Sequence, residues 1–283
     1  MKLGIYSACL PALTPFEAIE AAASSGYSGI EWRISPEVGG AGAPDFLTNN
    51  RCTVAPEADE IARICAATRA AGLEVISLAP YIESGNVTEV DRLMSLAGHN
   101  GVPALRLRAP WMGPKGFHRL LAEATEFFKT VADLAERYGV QAQLEIHQRS
   151  ICPSASLALQ LVGRFSHEAV GVIYDVGNLV VEGYEDHDMA LQILGQHLSH
   201  VHLKNAAYFP SSNGGPWTPR WTAIDDGIVD VDRVLRLLNA SSYSGWISVE
   251  DFSTSRSDLD KVAFNAVYLR GKQTFSNPSP QPA

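Results

Sequence analysis

Residues 141–175 read QAQLEIHQRSICPSASLALQLVGRFSHEAVGVIYD. The run 141–147 is short and β-prone, and 170–175 is a second run of the same kind. Between them, 154–165 carries a helical pattern that opens at Ser154, a residue suited to a helix start. Strand, helix and strand in this order make one parallel crossover unit. The same alternation extends in both directions. Strands are expected at 2–7, 29–34, 73–79, 104–109, 199–204 and 245–250, and helices at 15–25, 56–71, 87–99, 118–138, 187–197, 231–240 and 258–270. Thr14-Pro15 and Asp186 mark two further helix starts. Gly26, Gly72, Gly101, Gly139 and Gly245 stand between helices and strands, where a left-handed residue can stop a helix.

The strands carry β-branched and apolar residues on both faces, as buried parallel strands do. Eight such units without a second compositional block close into one sheet, a single (β/α)8 TIM barrel over residues 1–273. A doubly wound open sheet is the rival, but the even spacing and the lack of a glycine-rich phosphate loop after the first strand weigh against it. Two connections are long, 35–55 and 206–230. Both follow strands, so both rise on the face where barrels carry their chemistry, and lids or specificity loops are expected there. The proline-rich segment 274–283 is read as a disordered C-terminal tail.

Composition narrows the function. The 22 Lys and Arg against 31 Asp and Glu give a net charge of −9, which argues against nucleic acid and anionic membrane as partners. Cys9, Cys52, Cys65 and Cys152 form no C-x-x-C pair, so reduced thiols in a cytoplasmic protein are the simplest reading. The N-terminus reads as a first strand rather than a signal peptide, and no run is long and apolar enough to span a membrane.

The last four strands each end in a polar group: Glu145, Asp175, His202 and Glu250. In a barrel these ends converge on the axis, so three carboxylates and an imidazole meet in one small volume. Three anions there need protons or a cation. A set rich in oxygen, with one nitrogen and no sulfur, suits Mn²⁺ first, with Mg²⁺ or Co²⁺ as alternatives. Residues two apart on a strand share a face. That brings His147 beside Glu145 and Lys204 beside His202. His147 is an uncoordinated imidazole, able to act as a base near neutral pH or to serve as a hydrogen-bonded neighbour of the ligands. Glu31, Arg33, one of Arg106 and Arg108 (Arg108 is preferred), and Lys204 are expected to contact a substrate. Tyr6, Trp111, Trp217 and Trp221 are candidates for stacking on a sugar ring or an aromatic aglycone, and Asn49, Asn50 and Arg51 are weaker ones.

The strings LEIH (144–147), YDVGN (174–178), HVHLKN (200–205) and SVEDF (248–252), with GIEWR and GLEVIS earlier, resemble the xylose isomerase-like barrel superfamily, and within it the bacterial sugar phosphate isomerase/epimerase group. The resemblance runs from residue 3 to about 272. It implies a metal held by Glu145, Asp175, His202 and Glu250. In the epimerase and isomerase branches it also implies that Glu145 and Glu250 shuttle the substrate proton. Two positions depart from the commoner pattern. Asn178 stands where many members have His, and an amide cannot titrate; it is retained as a substrate contact. Tyr208 stands where some ketose epimerases have Arg.

The expected activity is therefore a metal-dependent isomerase or epimerase on a keto-sugar, working through an enediolate. The alternative is a lyase that eliminates a group β to the carbonyl of a 3-keto sugar, with His147 as base, like a dehydratase or the barrel subunit of a C-glycoside deglycosidase. The expected partner is a small sugar or keto-sugar. The assemblies open to the chain are a homo-oligomer or, for a deglycosidase, a complex with a small second subunit.

Overall fold

The structure, a computed structural model, describes residues 1–272; the tail expected at 274–283 lies outside them. Strands β1 (Lys2–Tyr6), β2 (Gly29–Ile34), β3 (Glu74–Pro80) and β4 (Ala104–Arg108) form the first half of a closed parallel barrel. Strands β5 (Gln141–Glu145), β6 (Val170–Asp175) and β7 (Leu198–Leu203) continue it. A separate antiparallel hairpin of β8 (Asn205–Phe209) and β9 (Thr218–Thr222) follows, and β10 (Trp246–Val249) closes the barrel against β1. The helices are α1 (Pro15–Ser24), α2 (Ala58–Ala70), α3 (Val87–His99), α4 (Phe117–Tyr138), α5 (Ala155–Val162), α6 (Val176–Val181), α7 (His187–Leu194), α8 (Val231–Ala240) and α9 (Asp258–Arg270). Among the described residues no helix is long and apolar enough to cross a membrane.

The helix starts follow the side-chain chemistry. Thr14 and Glu17 bond reciprocally across the first turn of α1, and Ser154 and Asp186 accept backbone N–H groups at α5 and α7. Four of the five glycines expected to be left-handed have positive φ; at the fifth boundary Ser242 takes that conformation (φ 58°) instead of Gly245. Two elements lie inside stretches read from sequence as connections. The six-residue helix α6 follows β6 directly, and part of the 206–230 loop pairs as the β8–β9 hairpin.

The strands are not apolar on both faces. Ile30, Trp32, Leu105, Leu107, Leu144, Val172 and Val201 belong to the core between barrel and helices. Their neighbours Glu31, Arg106, Gln143, His200 and Ser248 are buried but polar, and with period-two alternation they point to the barrel axis. Two bulges set this phase. Ile30 pairs with Val75 and Glu31 with Ser77, so Ile76 is an extra residue in β3; Val172 pairs with Leu198 and Ile173 with His200, so Ser199 is an extra residue in β7. The second bulge turns His200 and His202 inward beside Asp175.

Candidate metal centre and active site

His202 organises the centre. Its Nε2 lies 2.9 Å from Glu31 Oε2, and a carboxylate can only accept, so Nε2 carries the hydrogen. Its Nδ1 faces Glu250 Oε1 at 3.1 Å, Glu145 Oε1 at 3.4 Å and Asp175 Oδ2 at 3.9 Å, yet is buried without a well-aligned hydrogen bond. A lone pair aimed at three carboxylates is repulsive unless a proton or a cation lies between them. Ligand atoms of Glu145, Asp175, His202 and Glu250 all lie within 4.8 Å of one another, so these residues could hold one metal ion. The donor set and the orphaned Nδ1 both fit such an ion.

The protonation pattern expresses the same crowding. Burial lifts the Asp175 carboxyl to about 7; Lys204 opposes the rise and the Glu250 and Glu145 carboxylates add to it. Burial also pushes Glu145 upward, but Arg106, His202 and His147 outweigh it and hold this carboxyl well below the usual range. Burial disfavours the charged form of His202, yet Glu250, Glu31 and Glu145 raise its pKa well above that of a free imidazole. Glu31 is held down to about 2: burial resists, and His202 and His200 prevail.

Each candidate ligand has a local reason for its place. Asp175 caps α6, taking Gly177 N–H at 3.1 Å and Asn178 N–H at 2.9 Å on Oδ1, which leaves Oδ2 toward the cluster. Arg106 donates to Glu145 Oε2 at 3.1 Å and to the Pro80 carbonyl at 3.0 Å. Glu250 N–H extends the β10–β7 ladder to the Leu203 carbonyl, one step beyond the Val249–Leu203 pair, so its side chain stands beside Lys204 and reaches His202 Nδ1. Lys204 Nζ sits 2.6 Å from both Asp175 Oδ2 and Glu250 Oε2. A Cβ at position 177 would collide with the Lys204 stem, so this glycine leaves the lysine its path.

A cavity of about 280 Å³ opens over the cluster, with Glu145, Glu250, His147, Lys204, Asn178, Arg108 and Trp111 in its wall. Of the residues expected to contact substrate, Arg108, Trp111, Asn178 and Lys204 stand together here and two do not. Glu31 is fully buried behind His202, and Arg33 is turned into the first long loop, bonding the Leu47 carbonyl at 2.8 Å and Thr53 Oγ1. The alternation that puts both on the inward face was legible; their depth and partners depend on the β3 bulge and the 35–55 loop. Asn178 Nδ2 bonds Asp175 Oδ2 at 2.6 Å and the Ile146 carbonyl at 3.0 Å, so it braces a candidate ligand while lining the cavity.

His147 Nδ1 lies 2.8 Å from the Gln148 carbonyl. A carbonyl accepts only, so Nδ1 holds the hydrogen and Nε2 keeps the basic lone pair. Burial lowers the pKa of this imidazole, and Trp111 packs edge-on against it at 5.0 Å. Tyr6 stacks on His202 at 5.8 Å and Trp221 lines the cavity, whereas Trp217 is 63 % exposed and does not. Tyr81, Phe46, Leu47 and Phe252 were not singled out from sequence, yet all line the cavity. SVEDF carried a weak signal for Phe252, one residue beyond Asp251. Phe46 and Leu47 come from the 35–55 loop and Trp221 from the hairpin, so both long connections reach the mouth. Asn49, Asn50 and Arg51 stay within the first loop and its anchor to the 8–12 segment.

Two curated relatives are inosose dehydratases. That of Geobacillus thermodenitrificans (strain NG80-2) is 27 % identical over 136 residues, covering 42 % of this chain and 43 % of the relative. That of Erwinia tasmaniensis is 27 % identical over 137 residues, covering 44 % and 45 %. The matches thus span less than half of the relatives' length. Similar solved structures include the IOLI protein with a bound zinc atom (TM-score 0.73, 17 % identity, 98 % and 100 % of the two chains). The 3-keto-D-glucoside 4-epimerase YcjR of E. coli is another (TM-score 0.71, 17 % identity, 96 % and 99 %). At such identities these structures speak for the fold alone. The xylose isomerase-like TIM barrel family matches residues 19–270, nearly the whole described chain, and the protein belongs to that family.

Proposed function

We propose that the protein is a divalent-metal-dependent lyase of the dehydratase type, acting on a small keto-sugar or keto-polyol, with Mn²⁺ as the expected ion and Mg²⁺ or Co²⁺ as alternatives. The observation that carries this reading is the hydrogen bond from His147 Nδ1 to the Gln148 carbonyl, which leaves Nε2 as the basic nitrogen of a residue in the cavity wall. Glu145, the rival base, has one oxygen taken by Arg106 and the other turned to His202. When bound, the ion supplies Lewis-acid polarisation of a substrate oxygen. His147 Nε2 takes the proton from the carbon next to the carbonyl, and the substituent on the next carbon leaves with its bonding pair. Lys204 holds Asp175 and Glu250 in place and offers an N–H toward substrate oxygens. The aromatic rim limits water. The likeness to inosose dehydratases supports the elimination reading.

A second reading, epimerisation by Glu145 and Glu250, is supported by the facing carboxylates and by the fold shared with the keto-glucoside epimerase. Mass spectrometry after incubating metal-loaded protein with a keto-inositol, a 3-keto-glucoside and a ketohexose separates the two. Elimination removes water or an aglycone, and His147→Gln abolishes it while keeping the metal. A product of unchanged mass, made equally well by His147→Gln, overturns the lyase reading in favour of the epimerase.

A further inference from the structure

Three guanidinium groups crowd around one ring: those of Arg106, Arg33 and Arg108 lie 4.9, 5.1 and 5.1 Å from the centre of Tyr81. Arg106 has Glu145 as its carboxylate partner, and Arg33 donates through both terminal nitrogens to loop carbonyls and Thr53. Arg108 has neither. Among the described residues its guanidinium makes no hydrogen bond and no ion pair; its contacts are the faces of Tyr81 and of Trp111, the latter at 4.9 Å. The two rings hold the guanidinium in the cavity wall with its N–H groups unassigned. A half-buried arginine beside two others is costly unless something in the cavity answers it.

The charge balance points the same way. With the charge of Arg33 set against Asp45 in the first long loop, Arg106, Arg108 and Lys204 face Glu31, Glu145, Asp175 and Glu250 around the centre. With a divalent ion in place, three side-chain cations and two metal charges oppose four carboxylates, which leaves one positive charge in excess. That excess sits in a protein of net charge −9, so it is a local feature of the site rather than a general one. One monoanion neutralises it. No glycine lines the cavity to form the backbone N–H cradle that phosphates favour. A single forked guanidinium held between rings suits a carboxylate, which it can grip with two parallel hydrogen bonds.

We infer that the substrate carries a carboxylate that docks on Arg108 between Tyr81 and Trp111, so that the protein acts on a keto-sugar acid rather than a neutral keto-sugar. The inference rests on the reading of this cavity as the substrate site, and makes Arg108 the residue that sets specificity.

Titration calorimetry on metal-loaded protein tests it with 2-keto-D-gluconate, its neutral counterpart D-fructose, and D-fructose 6-phosphate. The acid is expected to bind at least about tenfold more tightly than fructose. Arg108→Gln brings the acid to the level of fructose with metal content unchanged, and Arg108→Lys, which keeps charge without the fork, retains part of the preference. Equal binding of acid and fructose, absence of binding by either, or an acid preference that survives Arg108→Gln overturns the inference. Preference for the phosphate over the acid overturns the carboxylate in favour of a phosphate site. Should Arg108→Gln fail to fold, Arg108→Lys against wild type still reads the same preference. No turnover enters the measurement. Elimination from neutral substrates without acid preference would sink this inference and spare the lyase reading; acid preference without elimination would do the reverse.

Discussion

The two halves of the barrel wall meet at one cluster and contribute different things to it. β5, β6, β7 and β10 bring the candidate ligands Glu145, Asp175, His202 and Glu250, all at strand ends and all within reach of one ion. β1 to β4 and the turns after them bring Tyr6, Glu31, Tyr81, Arg106 and Arg108, which sit behind or beside those ligands: Tyr6 against the face of His202, Glu31 on its far nitrogen, Arg106 on the second oxygen of Glu145. One half carries the atoms that could hold a metal, and the other fixes the orientation and charge of those atoms. Outer partners of this kind tune a site by holding ligand tautomers and raising ligand basicity. The two halves can be broken separately.

The largest effect is expected in the ligand half. Asp175→Asn keeps the oxygen that accepts the Gly177 and Asn178 N–H groups, so α6 stays capped, but it removes the charge facing the cluster. Metal content should fall below one ion per chain, and kcat/KM should drop by about 10³ or more, since several kcal/mol of transition-state stabilisation depend on the ion. Elemental analysis and steady-state rates check this. Full occupancy at the wild-type rate would take Asp175 out of the ligand set.

In the supporting half the expected effect is smaller. Glu31→Gln leaves a neutral amide beside His202 Nε2 and takes away the carboxylate that fixes its tautomer. Metal affinity should weaken about 10- to 100-fold while the fold persists, as for other partners of ligating histidines. Competition with a fluorescent chelator measures it. An unchanged affinity would mean that β2 supplies packing alone.

Proton linkage connects the halves. His202 has a folded pKa well above its unfolded value. A raised imidazole stabilises the metal-free fold fully below the unfolded pKa of about 6.5 and loses that contribution as pH climbs toward the folded pKa. Asp175, raised to about 7, adds the same slope up to that point. The lowered histidines, His147 and His200 (the latter at about 4), act with opposite sign, but only below about pH 6.5. From about pH 6.5 to 8, metal-free protein should therefore lose stability, by up to about 1.4 kcal/mol per pH unit for one proton. Metal-loaded protein should not, because binding the ion displaces that proton. Melting temperatures of both forms across this window decide the point, and a flat metal-free profile would mean the cluster carries no such proton.

The halves also differ in how far they could be read from the chain. A carboxylate or imidazole ending a buried strand is conspicuous, and four on successive barrel strands can hardly point elsewhere than to the axis, so the fold and the candidate cluster were legible. Glu31 and Arg33 were equally visible as inward residues, but which of them meets a ligand, a loop or a substrate depends on where Ile76 and Ser199 are inserted and on how the 35–55 loop folds back. No local pattern encodes those. Tyr81 and Phe252 follow strands as ordinary aromatics, and only the closed geometry brings them to one cavity. The hairpin was hidden because Pro219, Pro216 and the Gly214-Gly215 turn read as loop chemistry, although β8 and β9 pair from Asn205–Thr222 to Phe209–Thr218.

The hairpin supplies the smallest and most discriminating contrast. Trp217 and Trp221 lie four residues apart, one at the end of the turn and one within β9, and both were candidates for stacking on substrate. Trp221 is in the cavity wall, with Lys204 Nζ 5.0 Å from its ring centre and the Phe252 ring 6.3 Å away; Trp217 is among the most exposed large side chains of the protein. Trp221→Ala should raise KM about tenfold by removing a half-buried aromatic contact of ~1.5 kcal/mol, with a minor change in metal affinity through Lys204. Trp217→Ala should leave KM within about twofold, because an exposed side chain away from such contacts has little to lose. If the two substitutions raise KM equally, the hairpin closes over the substrate as a unit and the supporting half of the site extends beyond the barrel wall. If neither does, the mouth is set by the 35–55 loop, and Phe46→Ala becomes the substitution that should carry the effect.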